Sequence, residues 1–351
     1  MAVKVENIFR PYKLGKILKI KHGKSQKEVL SSSGPFPIIG SGGEFGRSLD
    51  YLHNKPSVLI GRKGTIDRPL YMDSPFWVVD TMFYTEIFNG YDPKYIYYLF
   101  QTIDWRSKNE ASGVPSLSAK IIEEIEVSVP NFETQKLIAN ALSDIDELIE
   151  VTSHLVSKKE RIFAGALQTE FSESSGAILN MLSEICEVSK GSAVKYDKDF
   201  IQGSFGFLNG GINFSGSTEN ANDNGDTVVV SEGGNSCGFV NYIPKPFWCG
   251  GHAYRLIGFE GKQKYLFYAL KKSETEIMYL RVGSGLPNVQ KKNLSEFKTL
   301  IHSDPTKQDA IVNFLDSLTH EIETLKSELV KYEFIKQGMA HDLLTGKVRL
   351  V

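Results

Sequence analysis

Two long stretches of the chain repeat apolar residues at alternating intervals of four and three positions. The first stretch begins at Ile138 and the second at Ile311, an offset of 173 residues. A repeat that averages 3.5 residues over about four heptads is typical of a coiled-coil seam. The apolar members are Ile138, Leu142, Ile145, Ile149 and Val156 in the first stretch, and Ile311, Leu315, Leu318, Ile322, Leu325 and Leu329 in the second. The pattern predicts two long helices that pack on each other, with dimerisation between two chains as the main alternative.

Residues that begin and end helices flank both stretches. Asn131 can cap the first helix, and Ser303 or Asp304 can cap the second, where Pro305 suits the first helical position. Glycines close both stretches, and the helices should therefore be about 35–40 residues long, roughly 50–60 Å at 1.5 Å per residue. We assign residues 131–172 to a first spacer helix, and 304–351 to a second spacer helix with a C-terminal tail.

The regions that precede the helices, 1–130 and 173–303, repeat each other as well. "SVLIGRKG" at 57–64 resembles "TVVVSEGG" at 227–234, and "ASGVPSLS" at 111–118 resembles "GSGLPNVQ" at 283–290. In both regions, short runs of Val, Ile, Tyr and Phe alternate with clusters of Gly, Asn, Asp and Ser, which favours mixed α/β domains. The predicted fold is α+β: two such domains joined by two helices in an antiparallel coiled coil, related by a pseudo-two-fold axis. We also expect the chain termini to lie near each other.

Composition excludes several classes of protein. The 351 residues carry a net charge of −2, although the first 27 residues are rich in Lys and Arg. The odd number of cysteines, three, fits free thiols in a reducing cytoplasm. There is no apolar run of about 18 residues and no secretory signal, so we expect no membrane span and a cytoplasmic protein.

No catalytic or cofactor motif is recognisable in the sequence. The loop "GSGGEFG" at 40–46 departs from a dinucleotide fingerprint, because Phe45 stands where the third glycine should be. P-loop, zinc-protease and serine-hydrolase motifs are missing, and Asp226 and Glu232 have no lysine close by in the sequence. This favours a protein for recognition or assembly over an enzyme, and predicts no metal and no cofactor on the chain.

Basic and polar side chains at turns are candidates for contact with nucleic acid. In "GRKG", Arg62 and Lys63 stand between two glycines just after a strand, where they could reach phosphates or guanine edges. The alternative for each candidate is a solvated surface side chain. The set comprises Lys24, Arg47, Arg62, Lys63, Arg68, Arg106 and Lys108 in the first domain, and Ser231, Asn235, Ser236 and Arg281 in the second.

The duplicated order of segments resembles the specificity subunit of type I restriction–modification enzymes. Each half opens with a strand like "KLGKI", passes through a loop like "SGVPSLS", and enters a long helix at "ETQKLIANAL" or "PTKQDAIVNFL". The resemblance implies a non-catalytic subunit in which each domain reads half of a bipartite double-stranded DNA target. The helices would set the spacing and dock methyltransferase (modification) subunits. S-adenosylmethionine would belong to those subunits, and ATP to a restriction subunit.

Two other functions remain open from the residues alone. One is a coiled-coil scaffold that carries two ligand-binding β-rich domains, and the other is an enzyme whose chemistry the motifs do not reveal. The acidic loop "TENANDNGD" at 218–226 is unusual for a surface that faces phosphate.

Overall fold

The computed structural model describes residues 9–193, 203–283, 285 and 287–350. It divides into two compact units, the first within residues 1–153 and 328–351 and the second within 154–327. No helix in the described ranges is long and apolar enough to cross a membrane.

Within the described residues, the first unit contains two sheets, a strand pair, two short helices and parts of both long helices. Its elements are β1 (Arg10–Lys13), β2 (Leu18–His22), β3 (Phe36–Gly40), β4 (Gly43–Ser48), β5 (Ser57–Gly61), β6 (Leu70–Met72), β7 (Trp77–Val78), β8 (Met82–Ile87), α1 (Pro93–Gln101), α2 (Ala119–Glu124), β9 (Glu126–Val129), the start of α3 (Phe132–Glu170) and the end of the last helix of the chain. The four-stranded antiparallel sheet has the order β2-β8-β5-β6, the three-stranded sheet has the order β4-β3-β7, and β1 pairs with β9.

The second unit repeats this arrangement strand for strand. Its elements are the end of α3, β10 (Ile178–Met181), α4 (Leu182–Ile185), β11 (Glu187–Lys190), β12 (Phe205–Leu208), β13 (Gly216–Thr218), β14 (Thr227–Ser231), β15 (Val240–Ile243), β16 (Phe247–Cys249), β17 (Ala253–Ile257), α5 (Gln263–Lys272), α6 (Glu274–Tyr279), β18 (Arg281–Val282), β19 (Asn288–Val289), α7 (Lys291–Ser295), β20 (Lys298–Ile301) and the start of α8 (Pro305–Leu344). Its sheets have the orders β11-β17-β14-β15 and β13-β12-β16, β10 pairs with β20, and a small extra pair joins β18 to β19.

Strands β5 and β14 lie at the centre of each unit and are buried on both faces. In β5, Val58 and Ile60 belong to the core that includes α1, whereas Leu59 belongs to the core shared with the three-stranded sheet. In β14, Val228 and Val230 belong to the core that includes α5, whereas Val229 belongs to the core shared with the three-stranded sheet. Successive side chains of a strand point to opposite faces, so a continuous apolar run is what a strand between two apolar layers requires.

Helices α3 and α8 pack together, as the heptad pattern predicts, and they run antiparallel, as the alternation of domains and helices along the chain predicts. In the first unit Ile138 and Leu142, early in α3, share a core with Leu343 and Leu344, late in α8. In the second unit the order is reversed: Leu167 and Phe171, at the end of α3, share a core with Ile311 and Leu315 of α8. Every predicted seam residue is buried or half-buried. The predicted fold class is therefore confirmed.

Ion pairs accompany the apolar seam in both units. Lys336 lies 2.6 Å from Asp146 in the first unit, and Lys326 lies 2.7 Å from Glu160 in the second. Lys159, which interrupts the apolar repeat, pairs with Glu321. Pairs of this kind between helices specify partner and orientation more than they add stability.

The helix ends follow the capping signals. The Asn131 side chain accepts a hydrogen bond from the Thr134 amide at 3.0 Å, and Asp304 accepts one from the Thr306 amide at 2.9 Å. Gly346, just beyond α8, has φ = +72° and lies against Phe9. The ends of the described chain are thus neighbours, while the terminal residues 1–8 and 351 lie outside the described residues.

A tyrosine fastens each sheet region to its long helix. The Tyr98 hydroxyl on α1 donates to the Asp146 carboxylate at 2.7 Å, and Tyr268 on α5 donates to Asp316 at 2.6 Å. Both tyrosine rings are buried. The two units therefore repeat the joint between sheet and helix as well as the sheets themselves.

Candidate nucleic-acid interface

The turn after β5 is held in place by its own backbone. The Arg62 and Lys63 amides donate to the Thr81 carbonyl at 2.8 and 3.0 Å. The Gly64 amide donates to the Pro115 carbonyl at 2.9 Å, and the Leu117 amide donates to the Arg62 carbonyl at 2.9 Å. The segment "ASGVPSLS" is thus a pairing partner of this turn, and α2 and β9 separate it from the long helix α3.

The second unit holds the turn after β14 with three bonds that match those from the Arg62, Gly64 and Leu117 amides. The Glu232 amide donates to the His252 carbonyl at 2.9 Å, the Gly234 amide to the Pro287 carbonyl at 3.0 Å, and the Val289 amide to the Glu232 carbonyl at 2.8 Å. Within "GSGLPNVQ", Ser284 and Leu286 lie outside the described residues.

One glycine at each turn is required by its backbone conformation. Gly64 has φ = +87° and Gly234 has φ = +78°, in the left-handed region that other residues rarely adopt. The duplicated "GRKG" and "EGG" sequences therefore encode one turn geometry. The side chains carried by that turn differ between the units.

Two of the basic candidates, Arg68 and Arg106, line one cleft beside the first turn. The cleft has a volume of about 640 Å³ and is lined by residues that include Gly64, Arg68, Arg106 and Pro115. Arg106 Nε lies 2.7 Å from the Asp67 carboxylate, yet the Arg106 side chain is 83% exposed. The hydrogen bond from Arg106 holds the pKa of Asp67 below its ordinary value. Two arginines thus face a single ionised carboxylate, which leaves the cleft with a positive charge.

The two basic residues of the turn itself are held differently. A guanidinium nitrogen of Arg62, Nη1, donates to the Asp80 carbonyl at 3.0 Å, which fixes one edge of the half-buried side chain. The Lys63 side chain is exposed. Arg62 can therefore present its remaining N–H groups in one direction, as a bidentate contact to guanine requires, whereas Lys63 can follow a phosphate.

The other candidates of the first unit are more dispersed. Lys108 is exposed and follows Arg106 in a short 3-10 turn at Arg106–Lys108. Lys24 is exposed, and its carbonyl accepts a hydrogen bond from the Trp77 indole at 3.0 Å. Arg47 lies on β4, where Glu44 at 3.3 Å and the Pro35 carbonyl at 3.3 Å occupy its guanidinium. Arg47 is therefore the weakest basic candidate in this unit.

In the second unit the structure removes one candidate and retains three. The assignment of Ser231 to the interface is wrong, because it is the last residue of β14 and only 2% exposed, so its hydroxyl cannot reach DNA. Ser236 donates to the Gly210 carbonyl at 3.2 Å and supports that loop, while Asn235 is exposed in the turn. Arg281 is exposed on β18, opposite Val289, the residue that bonds the Glu232 carbonyl.

A polar cluster around Glu232 could not be predicted from the sequence. Lys190 and Tyr254, cross-strand partners on β11 and β17, both contact the Glu232 carboxylate. Lys190 is 42 residues away along the chain, so no local pattern could have revealed the pairing. The available signal was the alignment of Arg62 with Glu232 between the two repeats.

Comparison with known proteins identifies the family. Residues 8–158 and 180–332 each match the model of the type I restriction modification DNA specificity domain. The chain belongs to this family. The two matched segments include the two turns and their clefts, so the family's domain is present here twice.

Relatives and solved structures agree with the assignment. A Mycoplasma genitalium protein named as a type I specificity subunit is 28% identical over 167 residues, 47% of this chain and 43% of that protein. The match thus spans less than half the length of that relative. The type I restriction enzyme MjaVIII specificity subunit of Methanocaldococcus jannaschii is 24% identical over 305 residues, covering 74% of this chain and 71% of that protein.

The fold itself recurs in a solved structure. The crystal structure of the type I restriction–modification S subunit from M. genitalium has a TM-score of 0.75 and 19% sequence identity, with 97% of this chain and 98% of that chain covered. A chain from a study of complex assembly in the type I system gives a TM-score of 0.55 at 13% identity, with 97% and 99% covered. At these identities the similarity is one of fold.

Proposed function

We propose that this chain is the non-catalytic DNA-specificity subunit of a type I restriction–modification complex. Each unit would read one half of a bipartite double-stranded DNA target. The observation that carries the proposal is the repeated turn: one backbone frame, held by three matching hydrogen bonds in each unit, presents Arg62 and Lys63 in one and Glu232 in the other. A shared frame with different side chains is what two readers of different sequences need.

Electrostatics supports DNA as the ligand in the first unit. Arg62 and Lys63 lie in the turn, Arg68 and Arg106 line the cleft beside it, and Asp67 is the acid among the residues of that lining. Contacts from Arg and Lys to phosphates position a protein on a duplex, whereas contacts to base edges in the major groove specify sequence. We assign Lys63, Arg68 and Arg106 to the first task and Arg62 to the second.

The long helices would serve as spacer and docking surface. Helix α3 exposes Leu148, Val151, Leu155 and Ile162, spaced as a second stripe beside the seam residues. Exposed apolar stripes on a charged coiled coil mark interaction sites. We propose that modification subunits dock on this stripe and carry S-adenosylmethionine and the methyl-transfer chemistry. A restriction subunit that uses ATP would complete the complex, which would act on DNA in the cytoplasm.

The test is methylome sequencing of a host that expresses this chain with its cognate methyltransferase. The expected result is a methylated motif made of two half-sites separated by a fixed number of unspecified bases. A host with the methyltransferase alone is the control and should lack the motif. No new motif, or one contiguous half-site, would refute the proposal. If the purified complex shows no salt-sensitive binding to DNA, a scaffold protein with another ligand is favoured instead.

A further inference from the structure

Glu232 occupies the position in the second unit that Arg62 occupies in the first. Each is the first residue after its central strand, and each donates its amide to the carbonyl of the matching residue, Thr81 or His252. Each also accepts at its own carbonyl, from Leu117 or Val289. The same backbone position thus presents a cation in one unit and an anion in the other.

The carboxylate of Glu232 is held on one side and open on the other. Lys190 Nζ lies 2.6 Å from Oε1, and the Tyr254 hydroxyl donates to the same oxygen at 2.9 Å. The second oxygen, Oε2, lies 3.6 Å from His252 Nδ1, which is longer than a hydrogen bond. The side chain is 15% exposed and lines a cleft of about 680 Å³ together with Asn209, Asn288 and Gln290. Among the described residues, Oε2 therefore has no hydrogen-bond partner, and the side chain borders this cleft.

Its protonation state follows from these contacts. Burial alone raises the pKa of Glu232, but the hydrogen bonds from Lys190 and Tyr254 outweigh this and hold the pKa below its ordinary value. The group is then ionised at neutral pH. An ionised carboxylate only accepts hydrogen bonds, so it pairs with donors and repels acceptors.

We propose that Glu232 is the specificity-determining residue of the second unit and accepts a hydrogen bond from a base amino group in the major groove. The inference rests on the proposed function. Cytosine N4 and adenine N6 carry the amino donors, whereas guanine O6 and thymine O4 are acceptors. A half-buried anion opposite an acceptor would lose its hydration without gaining a partner. Glu232 therefore selects C or A at one position of one strand in the second half-site.

The experiment compares the target sequences of wild-type and variant complexes. The full chain, assembled with its methyltransferase, selects duplexes from a random library, and the bound pool is sequenced. E232Q keeps the shape of the side chain but adds an amide donor, which can bond guanine O6 or thymine O4. We expect one position of the second half-site to admit G or T, its preference falling roughly 10- to 100-fold. The first half-site and the spacer should not change.

Controls separate a specificity role from a structural one. E276Q removes the same charge from an exposed glutamate on α6 and should leave the motif unchanged. E232D keeps the charge but shortens the side chain, and should weaken binding of the preferred target about 10-fold without admitting G or T. If the lost contact only supports the turn, binding to all DNA sequences should weaken equally.

Each outcome decides the matter. If a folded E232Q complex selects the wild-type motif with wild-type preference, or a folded E232D complex binds the preferred target with wild-type affinity, Glu232 is an internal ion-pair partner and the inference is wrong. Should one variant fail to fold, the other decides alone. If wild type selects no bipartite motif at all, the proposed function fails first, and that result is distinct from an unchanged motif in the variant.

Discussion

The sharpest test of the first unit separates Lys63 from Arg62. The exposed Lys63 is assigned to a phosphate, and Arg62, whose guanidinium is fixed by the Asp80 carbonyl at 3.0 Å, is assigned to a base. Removing one phosphate contact reduces the slope of log K against log salt by about 0.9. Between 50 and 200 mM salt, wild type should therefore lose about 3.5-fold more affinity than Lys63→Ala. Arg62→Ala should leave the slope nearly unchanged and cost about 1–3 kcal/mol of discrimination at one base.

The assay is fluorescence anisotropy of a labelled target duplex, titrated with the assembled complex at several salt concentrations. Lys55→Ala is the matched control, because Lys55 is exposed and precedes β5 at the end away from the turn, roughly 16 Å along the strand. It should match wild type in slope and discrimination. If Lys63→Ala keeps the wild-type slope, the turn does not face the phosphates. Equal losses of slope from Lys63→Ala and Arg62→Ala would show that both residues contact phosphate and that neither reads a base.

Three further outcomes are expected. Inserting four residues beside Val151 lengthens α3 by about 6 Å and rotates its second half by about 40°, so the unspecified spacer of the methylated motif should change; an unaltered motif would count against the helix as a ruler. Gly64→Ala forces a side chain into the left-handed region and should cost about 1–2 kcal/mol in chemical denaturation, whereas Gly42→Ala, at a glycine without positive φ and with open space around its Cβ position, should cost less. Burial lowers the pKa of His53, so this histidine stabilises the fold above about pH 6.5 and that contribution should disappear as pH falls through its lowered pKa; His53→Phe should flatten this part of the pH profile, and an unchanged profile would assign it to other groups.

Local patterns in the sequence were enough to predict the spacer helices. The seam depends on a spacing that any continuous helix must obey, and the caps at Asn131 and Asp304 are set by residues within three positions of the helix start. The duplication helped further, because a strand recognised in one half identified its counterpart in the other. These features depend on residues that are close together along the chain, and they can therefore be predicted from the sequence.

The interface was harder to predict because it is built from distant segments. The turn at Arg62 pairs with the segment around Pro115, about 50 positions away along the chain. Neither segment contains a sequence pattern that indicates this pairing. The same holds for Lys190 and Glu232, brought together by strands β11 and β14 on either side of β17. The sequence wrongly predicts Ser231 at the interface, because a strand rich in valine does not indicate at which residue the buried part of the strand ends. One residue further along, at Glu232, the chain reaches the cleft.

The way in which the turn after β5 is held affects which mutations such a protein can tolerate. The conformation of this turn is fixed by hydrogen bonds that its own main-chain amides donate to the Thr81 and Pro115 carbonyls, and by Gly64, so neither the Arg62 nor the Lys63 side chain is needed to maintain it. Substitutions at these two positions are therefore nearly free of structural penalty while altering what the surface presents. A library randomised at 62 and 63 should consist mostly of folded members with divergent preferences. The same separation of scaffold from reading surface would let new DNA targets arise by point mutation, without an unstable intermediate.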